Sequence, residues 1–383
     1  MSVRVAVNPA LLAWARERSR IPAEELGEKF PKLFEWESGE TQPTLIQLEG
    51  FAKATHTPIG FLLLQSPPDE SVPIPDFRTF PDQVRDRPSP DLLDTVYLCQ
   101  QRQEWYRDFA RVNREGPVEF VATLSTATSV PEAASSIGRT LGFDLPSRDE
   151  YASWTAALVG LSERAEDAGV LVMVNGVVGS NAHRKLDPQE FRGFALVDLL
   201  APVVFINGAD TKAAQIFTLA HELAHIWLGQ TALDDATLGV TDGDVIERWC
   251  NQVAAELLAP LDAVRDRFDP RGVLTEELDR LARVFKVSTL VILRRVHDAG
   301  WLSWEQYRAE YRIELRRVLA MSTERGTGGN FYNTTPVRTS KRFARAVITS
   351  TLEGQTLFLD AARLLGFKKL STLDELGHRL GVT

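Results

Sequence analysis

Cysteine is almost missing from this sequence: 383 residues contain two, Cys99 and Cys250. So few cannot build a disulfide framework, and a reducing compartment fits. Long apolar runs are missing too. A stretch such as Ile59–Leu64 falls far short of the ~20 apolar residues a spanning helix needs, so no membrane association is expected. Arg4, Arg16, Arg18 and Arg20 near the start are not followed by an uninterrupted apolar core and a small-residue cleavage site. No secretory signal is read there, and a cytoplasmic location is expected. No repeat of fixed period occurs, which excludes solenoids and propellers. Positive charge is in deficit, with 43 Lys and Arg against 52 Asp and Glu and a net charge of −9. That argues against a general nucleic-acid coat, although a local basic patch remains open. What is present is ordinary for a globular chain: 44% hydrophobic and 25% charged residues, over a length suited to two or three domains.

The first 65 residues read as a helical module. Leu11, Leu12, Ala15 and Arg18 form one stripe, Ala23–Phe30 a second short helix after Pro22, and Leu45, Leu48, Phe51 and Ala52 a third stripe. Seven prolines between positions 67 and 90 mark an extended connector, because each removes a donor and fixes φ. A long helix follows Ser89-Pro90-Asp91. Helices are expected at 133–141 and 154–168, and β-branched strands at Val170–Val174 and Val203–Ile206. Two more helices are expected at about 211–228 and 245–258, stopped by Gly229 and Pro260. Short helices over 275–308 and a helical tail over 340–383 complete the pattern, with Gly326, Gly328 and Gly329 breaking the chain before the tail.

The chemistry concentrates at His221-Glu222-Leu223-Ala224-His225. Residues four apart on a helix differ by about 40° of rotation, so both imidazoles face one way and can hold one metal ion. Glu222 lies beside them, placed to take a proton from a water held there. Ile216, Phe217, Ala220, Ala224 and Leu228 supply the apolar stripe of a core helix. A site of this kind needs a third protein ligand. Glu247 and Glu256 are candidates on the next helix, nine residues apart and therefore on opposite faces. Glu247 shares its face with Cys250, Asn251, Ala254 and Leu258, a small and polar floor on which Asn251 suits an outer-shell role. This favours Glu247. Glu256 is the alternative, with Asp242 and Asp244 behind it.

The segment Ile216–His225, with Glu247-Arg248-Trp249-Cys250-Asn251 and Ala254-Ala255-Glu256-Leu257-Leu258-Ala259-Pro260, resembles the ImmA/IrrE family of metallo-endopeptidases. The resemblance implies cytoplasmic proteolysis of helix-turn-helix repressors, a zincin-like α+β core and a third ligand four residues before the asparagine, which is Glu247. The expected metal is zinc, and nitrogen and oxygen ligands alone also admit manganese or iron. It further implies a strand beside the metal, which Val203–Asn207 matches in position; two readings are open for it, a strand that holds an extended peptide by strand addition and an ordinary core strand. Trp36-Glu37-Ser38-Gly39 with Pro43-Thr44-Leu45 resembles the end of an Xre-type helix-turn-helix domain. Pro31 and the balance of two lysines against four glutamates over 28–40 depart from a DNA-reading element. DNA binding, dimerisation and contact with a partner protein all stay open for this module.

The expected layout is a helix-turn-helix-like domain at 1–65, a Pro-rich linker at 66–90 and a zincin-like metallopeptidase domain at 91–270. A second helix-turn-helix-like unit at 271–310 and a helical extension at 311–383 follow. The extension holds eight Lys/Arg against two acidic residues over 311–345, fit for nucleic acid, an acidic partner or plain solvation. Trp227, Trp249, Trp301 and Trp304 are expected in the core or a pocket, and His183 is a candidate oxyanion donor. The fold class is α+β. Two functions compete. One is an endopeptidase acting on a specific regulatory protein. The other is an antitoxin-like binding component, because such fusions resemble the antitoxin half of modules whose partner is often a PIN-like ribonuclease toxin.

Overall fold

The computed structural model describes residues 4–76, 87–149, 151–234, 245–322 and 331–382. These group into two compact units: residues up to Pro73 together with 87–97, and residues 74–76 together with those from Leu98 onward.

In the first unit α1 (Pro9–Ser19), α2 (Ala23–Lys29), α3 (Leu33–Glu37) and α4 (Leu45–Ala54) surround Leu11, Leu12, Trp14, Leu26, Trp36, Leu48 and Phe51. Asn8 caps α1 by accepting the Ala10 N–H at 3.0 Å, with Pro9 in the first turn, where its missing donor costs nothing. Thr44 and Gln47 close α4 with a reciprocal capping box. Sequence periodicity did not resolve α3. Pro31 cannot continue α2, so Phe30 leaves the helical region at φ −127°, ψ 79° and the chain restarts as one short turn pinned by buried Trp36.

α5 (Pro90–Val112) starts in the first unit and continues into the second. The second unit then runs through α6 (Val130–Leu141), α7 (Leu145–Asp149), α8 (Trp154–Asp167), β1 (Leu171–Asn175), β2 (Gly193–Leu196), β3 (Val203–Asn207), α9 (Lys212–Leu228), β4 (Ala232–Asp234) and α10 (Val245–Leu258). After these come α11 (Leu261–Arg267), α12 (Leu274–Phe285), α13 (Thr289–Asp298) and α14 (Trp304–Ser322). The chain ends in α15 (Phe331–Thr339), α16 (Lys341–Leu352), α17 (Phe358–Leu365) and α18 (Leu370–Leu380). The glycines at 326, 328 and 329 lie outside the described residues.

The sheet has the order β1-β3-β2-β4. β1 runs parallel to β3, whereas β2 is antiparallel to both β3 and β4. Val172, Val174, Ala195, Val204 and Ile206 join the main core, to which α9 contributes Ile216, Leu219, Ala220 and Leu223. Met173, on the other face of the pleat, meets Cys99 and Arg102 of α5. This order decides between the two readings of Val203–Asn207: it is a core strand between two neighbours, with no free edge for a peptide, and among the described residues the edge strands of the sheet are β1 and β4. Trp227 and Trp249 are buried as expected, while Trp301 and Trp304 are 46% and 41% exposed, Trp301 tilted against Phe268 and Trp304 stacked on the buried Tyr307.

Candidate metal centre

α9 brings the motif into the core. Thr211 starts the helix by accepting the Ala214 N–H at 3.3 Å. Gly229 ends it at φ +72°, a left-handed turn that returns its N–H to the His225 and Ile226 carbonyls. Within that frame His221, Glu222 and His225 have no exposure at all. α10 packs along α9 and supplies Glu247 in its first turn.

His221 Nε2 and His225 Nε2 stand 3.0 Å apart. The Glu247 carboxylate approaches them, Oε2 at 3.2 Å from His221 Nε2 and Oε1 at 3.3 Å from His225 Nε2. Donors held about 2.0–2.1 Å from one tetrahedral centre are roughly 3.3 Å from each other. The observed spacings therefore suit a single divalent cation, and three lone-pair donors this close repel one another without a cation or proton between them. Burial on its own would push the Glu247 carboxyl up. Without a metal, protons on the two imidazoles outweigh that and hold it well below the usual carboxylate range; a bound cation would take the place of those protons. Asn251, one turn after Glu247, places its Oδ1 3.1 Å from His221 Nδ1; an Nδ1–H donated there would leave Nε2 its lone pair for a metal.

The strand β2 passes beside Glu222. A Cβ on Gly193 would fall 2.5 Å from Thr218 Cγ2, 2.8 Å from the Phe205 carbonyl and 3.0 Å from Glu222 Oε1. Glycine is what lets β2 approach the helix this closely. Sequence reasoning did not single out Gly193, because a lone glycine in a short strand carries no local signal.

The remaining candidates go elsewhere. Glu256 forms an ion pair with Arg295 of α13 and accepts the Leu261 N–H, so it ties α10 to its neighbours instead of joining the cluster. His183 is exposed in a turn, where its N–H donates to Asn181 at 3.1 Å, and it does not join the cluster. Asp242 and Asp244 lie outside the described residues. Among the described residues, His221, His225 and Glu247 are the one group of three or more acidic, histidine or cysteine side chains close enough to share an ion.

Residues 165–297 match the family described as IrrE N-terminal-like domain, Peptidase M78. That span contains the whole cluster together with β1 to β4. Residues 339–379, covering α16 and α17, match a second family, a domain of unknown function, DUF8813. Two curated relatives carry the name radiation response metalloprotease IrrE. The protein from Deinococcus radiodurans is 35% identical over 154 residues, which is 38% of this chain and 44% of that relative. The one from Deinococcus deserti is 39% identical over 99 residues, 24% of this chain and 35% of that relative. The chain thus spans less than half the length of the curated relatives it matches. It carries an IrrE-like metallopeptidase domain, and no helix among the described residues is long and apolar enough to cross a membrane.

Proposed function

We propose that this chain is a metal-dependent endopeptidase that cleaves a specific regulatory protein in the cytoplasm. The observation that supports this most is the trio of buried donors, His221, His225 and Glu247, separated by 3.0–3.3 Å on two packed helices. They would hold a divalent ion, zinc or manganese, with Asn251 orienting His221. When bound, that ion supplies Lewis-acid polarisation of a peptide carbonyl and lowers the pKa of water toward ~7. Glu222 is the general base. Its carboxylate accepts the proton of the attacking water and returns it to the departing amine, and the dry pocket around it strengthens each of these contacts.

A second reading, an antitoxin-like component that binds and neutralises a partner toxin, is favoured by one feature of the first unit. Phe34 is 58% exposed and Ile46 81% exposed on a module whose residues 28–40 carry four glutamates. Such a surface suits contact with a basic, apolar protein patch better than contact with phosphates.

Affinity capture from the native host separates the two. Wild type and Glu222→Gln are compared side by side, after confirming equal metal content. A protein retained intact by the variant and recovered as fragments with wild type is the expected substrate. A partner recovered intact and equally with both would refute proteolysis of that partner and leave the binding reading.

A further inference from the structure

We propose that the cavity where α8, α9 and α13 begin binds the phosphate group of a small molecule, at a site separate from the metal centre.

A helix leaves its first backbone N–H groups without partners inside the helix, and the positive end of its dipole lies there. Three such starts meet in this cavity. Ser153, Thr211 and Ser288 cap α8, α9 and α13 by accepting the third N–H of each helix, from Ala156, Ala214 and Val291 at 3.2–3.3 Å. The N–H groups ahead of these, on Trp154, Thr155, Lys212, Ala213 and Thr289, have no acceptor among the described residues. All five residues line one cavity of about 520 Å³. That is the size of a small-molecule pocket, and helix starts of this kind are ready acceptors of phosphate.

The side chains around the cavity carry the matching charge. Lys212 is half-buried in the wall, and its ammonium donates to the Gln215 side-chain oxygen at 3.0 Å; no carboxylate among the described residues pairs with it. Burial pushes this ammonium below the usual lysine range, which is the mark of a cation short of a counter-charge. Arg283, exposed, adds a second cation to the lining. Asp279 is the one carboxylate there, and Arg317 already occupies both its oxygens, at 2.7 and 3.0 Å. The protein thus supplies donors and positive charge to this space and leaves the anion to come from outside. Trp154, Ala282, Val287 and Val318 form apolar walls, with Trp154 Nε1 donating to the Val287 carbonyl at 3.1 Å. Such walls strengthen the pull on an anion and offer a surface to the body of a phosphate ester. Lys212 precedes His221 by nine positions on α9, about 14 Å along the axis, so an anion held here is clear of the metal ligands.

Calorimetric titration of the full-length protein tests the site, with adenosine monophosphate, inorganic phosphate and adenosine as probes. Wild type is expected to bind adenosine monophosphate with a Kd of about 1 mM or tighter, and adenosine at least about tenfold more weakly. Tighter binding of the nucleotide than of phosphate assigns the site to an ester; equal binding of the two assigns it to the free anion. Lys212→Met keeps the stem and removes the charge, and is expected to weaken the nucleotide about tenfold. Ala213→Glu adds a carboxylate to the first turn of α9, where it favours the helix and gives the cavity an anion of its own. This variant is expected to stay folded and to lose more than about tenfold in affinity. Failure of wild type to bind either phosphate or the nucleotide overturns the site. So does adenosine binding as well as its phosphate, or equal nucleotide binding by wild type, Lys212→Met and Ala213→Glu.

Discussion

Asn251 Oδ1 faces His221 Nδ1, while His221 Nε2 faces His225 and Glu247; an Nδ1–H donated to Asn251 would orient the ring for a metal at Nε2. Replacing Asn251 by leucine removes the acceptor at similar volume. Metal affinity, measured by chelator competition, is expected to fall about 10–100-fold with the fold unchanged; an unchanged affinity would contradict the orienting role. The pair of histidines was legible in the sequence because the i, i+4 relation is local to one helix. That Glu247 and Glu256 face different ways was legible for the same reason, since two residues of one helix carry their relative phase with them; Glu247 is the one that lies against the histidines. Invisible from the sequence was the partner of Glu256: Arg295 lies 39 positions away. Gly193 was equally hidden, for its role depends on Thr218, Phe205 and Glu222 arriving from other elements.

The helices were legible to within a residue or two where caps and periodicity agree, as at α9 with Thr211 and Gly229. The short strands were not. β2 has four residues and β4 three, too few to establish a period of two, and β2 begins with glycine. Without them the two neighbours of β3 cannot be seen, and a peptide-binding reading stays open for a strand that has no free edge. The element joining α8 to α16 carries its own test. Burial pushes the Glu166 carboxyl up to about 7 from 4.5, even though it accepts the Lys341 N–H at 2.9 Å. The folded state therefore keeps a proton that the unfolded chain releases. The associated stability is present in full below pH 4.5 and is lost as pH rises through about 7. Glu166→Gln stays neutral throughout. It is expected to match wild type near pH 5 and to exceed it at pH 8 by on the order of 2–3 kcal/mol in denaturant unfolding. Parallel stability profiles for the two proteins would contradict this.

At the scale of the whole chain, the family match covers residues 165–297, and the curated relatives are shared over less than half their length. The metallopeptidase domain is thus the part that comparison, geometry and sequence reach together. The helical first unit rests on its own core and caps. Its five-residue α3 leaves Phe34 exposed, and Glu37 there accepts from Arg16 of α1 at 2.8 Å. α15 and α16 of the tail pack on β1, which gives the extension a structural role that its basic composition did not suggest. All of this matters for function only if the buried trio holds metal. Equilibrium zinc binding by wild type, Glu247→Gln and Glu256→Gln tests that most directly. Wild type and Glu256→Gln are expected to bind about one ion per chain, while Glu247→Gln loses affinity by about tenfold or more. Full zinc affinity in Glu247→Gln, or its loss in Glu256→Gln with the fold intact, would contradict the His221–His225–Glu247 centre.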